Sequence, residues 1–246
     1  MLNLFTISYT KAEILAKRLE VAQGLITNSP NIKGPIISRI APSDLQLLFN
    51  LYDQVFLNHQ FAEKFPGKLR FSLSTRLSKT AGKTLCPKNI ARIKPEEVSM
   101  EIRIGTEFFF KFHETNGVKS VAGIATDSAL EALQLVFEHE LCHIIEFINF
   151  HTSSCRQARF KNLAQDLFGH TASTHQLPTG KQIAEQKYGY KIGDTVKFSF
   201  ENHKYEGILY RINKRATVMV KDKDGTHVDK QGNRYAKYYV PISLLK

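Results

Sequence analysis

The sequence is poor in cysteine and has no long apolar run. Its 246 residues include only three cysteines, Cys86, Cys142 and Cys155. Three scattered thiols do not make the disulfide framework of a small secreted domain and are typical of a reducing compartment. No segment approaches the roughly 18 apolar residues of a membrane span. The opening "MLNLFTISYTKAEILAKRLE" meets Lys11 and Glu13 too early for a secretory signal. We therefore expect a cytoplasmic protein with no membrane partner.

Acidic side chains are also in short supply. The chain has 34 Lys and Arg against 23 Asp and Glu, a formal net charge of +11. Residues 181–246 hold 14 of these basic residues and 7 of the acidic ones, so the excess is concentrated there. A basic excess predicts an acidic partner, with DNA or RNA as the first candidate. The alternative is a generally basic surface without a nucleic-acid partner.

No internal repeat or low-complexity tract is visible, and the patterning predicts an α+β fold with a separate small domain. We expect an N-terminal helical extension over 1–43, a mixed core over 44–178, a linker over 179–191 and a small all-β barrel over 192–246. Capping boxes predict helix starts at "SDLQ" (43–46), "SALE" (128–131) and "SCRQ" (154–157). The helix after "SALE" should cover 129–150, and Gly169 should end the helix after "SCRQ".

The stretch "HELCH", residues 139–143, lies inside the predicted helix 129–150. Residues four apart project from one face of a helix, so His139 and His143 can meet one zinc ion. Glu140 is then placed to take a proton from water activated at that ion. Glu146 shares the face of His139 and is a candidate to orient an imidazole. A solvated or salt-bridged Glu146 is the alternative.

The motif and its surroundings resemble the SprT-like metallopeptidases. The resemblance rests on "HELCH" with the following "SSCRQARFKNLAQDLFGHTASTHQL". It extends to the upstream segments "LFNLYDQVFLN", "LRFSLSTRLSKTAGKT" and "EIRIGTEFFF", and covers about residues 44–177. It implies a zincin-like core and an intracellular zinc endopeptidase acting on protein. In that family, the residues that match His139 and His143 are zinc ligands and the one that matches Glu140 is the general base.

The chain departs from the family pattern at two places. The family's third ligand is a His four residues before an aromatic residue. In this chain the residue four positions before Phe160 is Arg156, and an arginine cannot bind zinc. No cysteine follows Cys155, so the cysteine-rich ribbon of bacterial members is absent. The barrel predicted at 192–246 takes its place and resembles a KOW or Tudor-type barrel.

The third zinc ligand is therefore open, and Cys155 is our first choice. It lies one residue from the family's ligand position, in the first turn of the helix predicted after "SCRQ", where a helix N-terminus favours thiolate. A His₂Cys set that leaves one open position is a known catalytic arrangement. His151 and His170 are the alternatives, although His170 lies about 20 Å beyond Arg156 along a straight helix. Asp166 and His175 also stay open.

The predicted barrel carries basic and aromatic side chains that suit phosphate contact and base stacking. The candidate nucleic-acid-binding residues are Lys197, Lys204, Arg211, Lys214, Arg215 and Lys237, with Tyr235, Tyr238 and Tyr239. They favour a peptidase that acts on nucleic-acid-associated proteins. The rival hypothesis is a nucleic-acid-binding or regulatory protein whose zincin core is structural or degenerate. A solvated barrel face with its aromatics in the core is the alternative for the cluster itself.

Overall fold

The computed structural model describes residues 2–246, and they form two compact units. One comprises residues 2–113 and 118–177, and the other 114–117 and 178–246. The helices are α1 (Lys11–Asn28), α2 (Pro42–Val55), α3 (Gln60–Lys64), α4 (Glu107–Phe110), α5 (Ala129–Phe150), α6 (Ala158–Phe168) and α7 (Gly180–Tyr188). The strands of the first unit are β1 (Lys68–Ser74), β2 (Gly82–Leu85), β3 (Ser99–Gly105), β4 (Lys119–Val121), β5 (Ile124–Thr126) and β6 (His175–Gln176). Those of the second unit are β7 (Thr195–Phe200), β8 (His203–Ile212), β9 (Ala216–Lys221), β10 (His227–Val228) and β11 (Arg234–Val240).

The first unit is α+β, as predicted, and is built around α5. One sheet has the order β1-β3-β2, with β1 parallel and β2 antiparallel to β3. A smaller antiparallel sheet has the order β5-β4-β6. Helix α5 packs against β2, β3, β4 and α6, and 17 of its 22 residues are buried. A helix buried on nearly all sides lies in the middle of a core.

Helix α5 has the bounds that the sequence predicts. The Ser128 hydroxyl accepts a hydrogen bond from the Glu131 amide at 3.1 Å, and the Glu131 carboxylate accepts one from the Asp127 amide at 2.8 Å. The predicted stop at Gly169 is also confirmed, since this residue ends α6 in the left-handed region with φ 65°. Both features depend on contacts within one helical turn.

The helix starts predicted at "SDLQ" and "SCRQ" are wrong. Helix α2 begins at Pro42, and Asp44 accepts a hydrogen bond from the Ala41 amide at 2.6 Å. Helix α6 begins at Ala158, three residues beyond Cys155. Proline favours the first helical position because its φ is already helical and it has no N–H to satisfy. Cys155 therefore lies in the turn before α6, not in its first turn.

The segment predicted as an N-terminal extension, residues 1–43, contributes side chains to the hydrophobic core of the first unit. Leu4, Val21 and Leu25 are fully buried there, together with Leu45 and Leu48 of α2. Helix α1 is capped by Thr10, whose hydroxyl accepts from the Glu13 amide at 3.3 Å. Burying these aliphatic side chains stabilises the fold by about 1.5–3 kcal/mol each.

The second unit is an open antiparallel sheet with the order β10-β11-β9-β8-β7, not the closed barrel that the sequence predicts. Barrel closure would require the first and last strands to pair along their length. Instead, β10 has two residues. Lys246 exchanges two 2.8 Å backbone hydrogen bonds with Lys197 of β7. The segment predicted as a linker contains α7, whose Ala184 is buried in the second core.

Across residues 2–246, no helix combines the length and the apolar character needed to cross a membrane.

Candidate metal centre

The structure brings His139, His143 and Cys155 together. One ligand atom from each, an imidazole nitrogen or the thiol sulfur, lies within 4.8 Å of the other two. The two histidines are one turn apart on α5, and their ring centroids are 5.0 Å apart. Cys155 reaches the group from the turn before α6. Two imidazoles and one thiolate form a ligand set that binds zinc and leaves one position for water. The three residues are therefore a group that could hold a metal ion.

An aromatic ring forms the wall beside the two histidines. The ring centroid of Phe160 on α6 lies 4.9 Å from that of His139 and 4.5 Å from that of His143. Phe160 is 1% exposed and His139 is 5% exposed. Low exposure keeps bulk water away and strengthens electrostatic interactions inside the group. Phe160 thus packs on both imidazoles.

His143 is oriented by a chain of hydrogen bonds. Its Nδ1 lies 2.6 Å from the Ser153 hydroxyl, which donates to Glu146 at 2.6 Å. Arg159 Nε donates to the other Glu146 oxygen at 2.6 Å. Because the Ser153 proton is committed to Glu146, Nδ1 of His143 carries the proton and donates to Ser153. The lone pair of His143 is then on Nε2, where a metal would bind.

His139 has a ring nitrogen without a protein partner. Its Nδ1 is buried and accepts or donates no hydrogen bond in the structure. Burial, and then repulsion from His143, His175 and His170, lower the pKa of His139 to about 2. Burial likewise lowers the pKa of His143 to about 4, against the opposing effect of Glu146. Both rings are neutral at neutral pH and have a lone pair to offer a cation, so the residues present fit a zinc ion.

The side chain of Glu140, one residue after His139 on α5, is held by β2. The Thr84 hydroxyl lies 2.7 Å from Glu140 Oε2, to which it donates, and 3.2 Å from the Glu140 backbone oxygen. A Cβ at Gly82 would lie 2.6 Å from Glu140 Oε1, so only glycine leaves space for the carboxylate there. Burial raises the pKa of Glu140 to about 7, although the hydrogen bonds from Thr84 oppose the rise. A carboxylate with a pKa near neutrality is suited to exchange protons with a substrate.

The alternative ligands, except His175, lie apart from the group of His139, His143 and Cys155. His151 is exposed at the end of α5 with φ 60°, and His170 Nε2 lies 2.8 Å from Glu138. Asp166 lies on α6 outside the group. His175 is the exception, because its ring centroid is 5.0 Å from that of His139. It lies on β6, opposite Val121 of β4, and its buried Nδ1 has no partner.

Behind the site, a buried ion-pair network surrounds Glu138. Arg18 of α1 donates two hydrogen bonds to this carboxylate, each 2.7 Å long, and the Tyr52 hydroxyl of α2 donates a third at 2.8 Å. Arg18 also donates to the Phe168 carbonyl oxygen. Burial alone would raise the pKa of Glu138, but Arg18 and His170 outweigh it and lower that pKa. The network fixes α5 at the residue next to His139.

Sequence reasoning did not identify the residues that support the site. Thr84, Ser153, Arg159, Arg18 and Tyr52 are the side chains that hold His143 and three glutamates of α5, Glu138, Glu140 and Glu146. The contacts of Thr84, Arg18 and Tyr52 with α5 span 56, 120 and 86 positions of the chain. A pattern of neighbouring residues cannot predict contacts between residues that are so far apart in the chain. Glu146 was the one supporting residue that helical spacing could suggest.

The candidate nucleic-acid-binding residues fall into different parts of the second unit. Alternation along the strands places Lys197, Lys204 and Lys237 on the outer face of the sheet. Three others lie at or near the turn between β8 and β9, namely Arg211, Lys214 and Arg215. Of the tyrosines, Tyr238 packs against the second core, with its ring 5.2 Å from Phe198. Tyr235 and Tyr239 alternate with it and lie on the outer face.

Comparison of the chain with protein-family models, with curated protein sequences and with solved structures finds no match. The resemblance to the SprT-like metallopeptidases therefore stays a prediction from the quoted motifs, and the geometry of the His139, His143 and Cys155 group is the evidence on which a function must be proposed.

Proposed function

We propose that the chain is a zinc-dependent endopeptidase of the SprT-like type, with His139, His143 and Cys155 as metal ligands. The observation that carries the proposal is the His₂Cys group, in which His139 and His143 lie on α5 and Cys155 in the turn before α6, together with the buried carboxylate of Glu140 one residue after His139. A zinc ion bound there would polarise a substrate carbonyl and lower the pKa of a water ligand. A three-ligand set is what catalytic zinc sites have, since the fourth position is left to water or substrate.

Glu140 is the general base in this proposal. Its Oε2 accepts the hydrogen bond from Thr84, so Oε1 is the oxygen free to take a proton. As the water oxygen adds to the peptide carbonyl carbon, its proton passes to Glu140. The same carboxyl group then gives that proton to the amide nitrogen as the C–N bond breaks. Thr84 keeps the carboxylate in one orientation through both transfers.

An edge strand beside Glu140 supports a peptide substrate. Strand β2 pairs with β3 on one side only, and its Thr84 contacts the proposed base. Edge strands bind extended peptides through backbone hydrogen bonds, which would align a peptide bond with the site. The basic second unit supports substrates that are bound to DNA or RNA, as the charge distribution of the sequence predicts.

The test combines metal content with cleavage of a denatured, fluorescently labelled protein. We expect about one zinc per purified chain, and we expect Glu140→Gln to keep the zinc and abolish cleavage. Glu63→Gln, which changes an exposed glutamate outside the site, is the matched control and should retain both. Cleavage that survives Glu140→Gln, or a parent protein that binds no zinc, would overturn the proposal.

The position of His175 supports a second candidate, a structural zinc site in a nucleic-acid-binding or regulatory protein. Closed sites with four protein ligands are structural, and His175 is near enough to His139 to be considered as a fourth. Cobalt substitution separates the candidates. If His175→Ala shifts the cobalt d–d absorption and weakens cobalt binding at least tenfold, the closed site is favoured. An unchanged spectrum supports the open, catalytic set.

A further inference from the structure

The outer face of the second unit's sheet carries a groove. The outer face is defined by Ile208, Tyr210, Met219, Tyr235, Lys237 and Tyr239. Ile208 lies opposite Met219, and Met219 lies opposite Lys237, so these side chains form a row across β8, β9 and β11. The groove has a volume of about 490 Å³ and is lined also by residues 227–230. That volume is within the range of small-ligand sites.

Aromatic and aliphatic side chains on this face are exposed to solvent. Tyr239 is 64% exposed, Tyr210 59% and Ile208 44%. The other face of the sheet is buried, since its side chains fill the hydrophobic core of the second unit. They include Val196, Phe198, Leu209, Val218 and Val240. Apolar and aromatic surface that the fold leaves uncovered in one patch marks a site for a partner.

Tyr235 is held in place at the edge of the groove. Its hydroxyl donates to Asp229 at 3.0 Å. The same carboxylate accepts hydrogen bonds from the backbone amides of Gln231 and Asn233, each 2.9 Å long, and from the Asn233 side chain at 2.8 Å. A ring fixed in this way loses little conformational entropy when a flat partner stacks on it.

The groove lining carries two lysines, Lys230 and Lys237, and one carboxylate, Asp229. Glu206 on this face is paired with Lys197 at 3.2 Å, and Asp229 is occupied by the four hydrogen bonds of its turn. By contrast, Lys221, Lys230 and Lys237 form no salt bridge within residues 2–246. The groove therefore offers cations without a carboxylate partner beside exposed tyrosine rings.

We propose that the outer face binds single-stranded nucleic acid, with bases stacked on Tyr210, Tyr235 and Tyr239 and phosphates near Lys230 and Lys237. Bases have flat π-faces that stack on tyrosine whatever their identity, and phosphates meet the unpaired lysines. An acidic peptide would satisfy the lysines but offers the tyrosines no flat partner. A duplex presents phosphates but keeps its base faces stacked inside. The proposal names the site of the nucleic-acid partner suggested above and does not depend on hydrolysis.

The experiment measures binding of the full chain to fluorescein-labelled oligothymidylate of twelve nucleotides by fluorescence anisotropy. Tyr210→Ala and Tyr239→Ala should each weaken binding about tenfold. Tyr210→Phe keeps the ring and should bind within about twofold of the parent. Replacing both Lys230 and Lys237 by Ala should reduce the slope of log affinity against log salt by about 1.4. The matched controls Tyr188→Ala and Lys181→Ala, both on α7, should bind like the parent.

Two competitors identify the ligand class. A duplex of the same length and a poly-glutamate peptide should each compete at least tenfold less well than unlabelled oligothymidylate. The proposal is overturned if either competitor matches the oligonucleotide, or if Tyr210→Ala and Tyr239→Ala both bind like the parent while the lysine variants do not. Because Glu140 and the metal ligands are unchanged in every variant, failure here leaves the endopeptidase proposal standing.

Discussion

The thiol of Cys155 completes the group of three ligand atoms that His139 and His143 begin. The sequence predicted this residue by its distance from the family's ligand position, and the structure places it with the two histidines. The predicted location of Cys155 in the first turn of a helix is wrong, because the residue lies in the turn before α6. Ser153 and Ser154 in that turn both contact Glu146. The turn is thus tied to α5 by the same carboxylate that orients His143.

Cys155→Ser should weaken zinc binding by at least about 100-fold, because a neutral hydroxyl is a poor substitute for a thiolate and ligand loss costs more than the 10–100-fold of a supporting residue. Competition with a chromophoric chelator measures the affinity. Cys86→Ser is the matched control and should bind zinc like the parent. Equal affinity for Cys155→Ser and the parent would remove Cys155 from the ligand set.

Thiol alkylation should report the metal independently of activity. With zinc present, all three cysteines should react slowly with iodoacetamide at neutral pH. Cys142 is fully buried, and burial raises the pKa of the Cys86 thiol to about 11, which leaves little thiolate. Removing zinc should accelerate labelling of Cys155 alone. Mass spectrometry of the digested protein measures each site, and a rate at Cys155 that does not respond to zinc would count against coordination.

Thr84→Val should lower kcat about tenfold while zinc content stays at the parent level. Valine keeps the shape of threonine but removes the hydroxyl that donates to Glu140 at 2.7 Å, so the carboxylate loses its fixed orientation. Thr226→Val, at an exposed position just before β10 in the second unit, is the control. A loss of zinc in Thr84→Val would instead mean that the residue supports folding of the site.

At the scale of elements, the sequence predicts those features that depend on nearby residues. The start of α5 at Ser128 and the stop of α6 at Gly169 follow from contacts within one turn. The start of α2 at Pro42 is local as well, because proline takes the first helical position and Asp44 accepts a hydrogen bond from the Ala41 amide, although "SDLQ" predicts Ser43 as the cap. The start of α6 is different, since the Ser154 amide donates to Glu146 on α5 at 3.2 Å. A tertiary contact therefore holds the segment in which "SCRQ" predicts the start of α6.

The network around Glu138 fixes α1 and α2 against α5. The substitution Arg18→Met tests how much this network contributes to the free energy of unfolding. Arg18 is 14% and Glu138 0% exposed in their side chains, so the substitution leaves a buried charge without its cation. We expect a loss of about 3–5 kcal/mol in the free energy of unfolding, measured by urea denaturation. Arg39→Met, at an exposed position, should change the stability by less than about 0.5 kcal/mol. A loss that small in Arg18→Met would show that the pair contributes little.

At the scale of the whole molecule, the sequence predicts two parts of different composition but not the openness of the second. Alternating strands and turn residues predict a β-rich unit. Closure depends on pairing between the edge strands β7 (Thr195–Phe200) and β10 (His227–Val228), which are far apart in the chain, so local patterning does not encode it. The division into units also places α7, in the segment predicted as a linker, with the second core.

The two units have separate hydrophobic cores, and zinc removal should affect only one of them. A ligand that binds the native state stabilises it by about 4 kcal/mol at a thousand times its Kd. Hydrogen–deuterium exchange with and without a chelator assigns the effect to segments. Peptides from α5 and α6 should exchange faster after chelation, while peptides from β8 and β9 should not change. Equal acceleration in both units would show that the zinc site does not act locally.

Zinc K-edge X-ray absorption of the purified full chain tests the central claim most directly, because it counts the ligands at the metal. We predict about one zinc per chain, with two nitrogen ligands at about 2.0–2.1 Å, one sulfur at about 2.3 Å and one further light atom from water. The sulfur scattering should disappear in Cys155→Ser and persist in Cys86→Ser. A parent protein that binds no zinc, or whose zinc shows no sulfur ligand, would contradict the account.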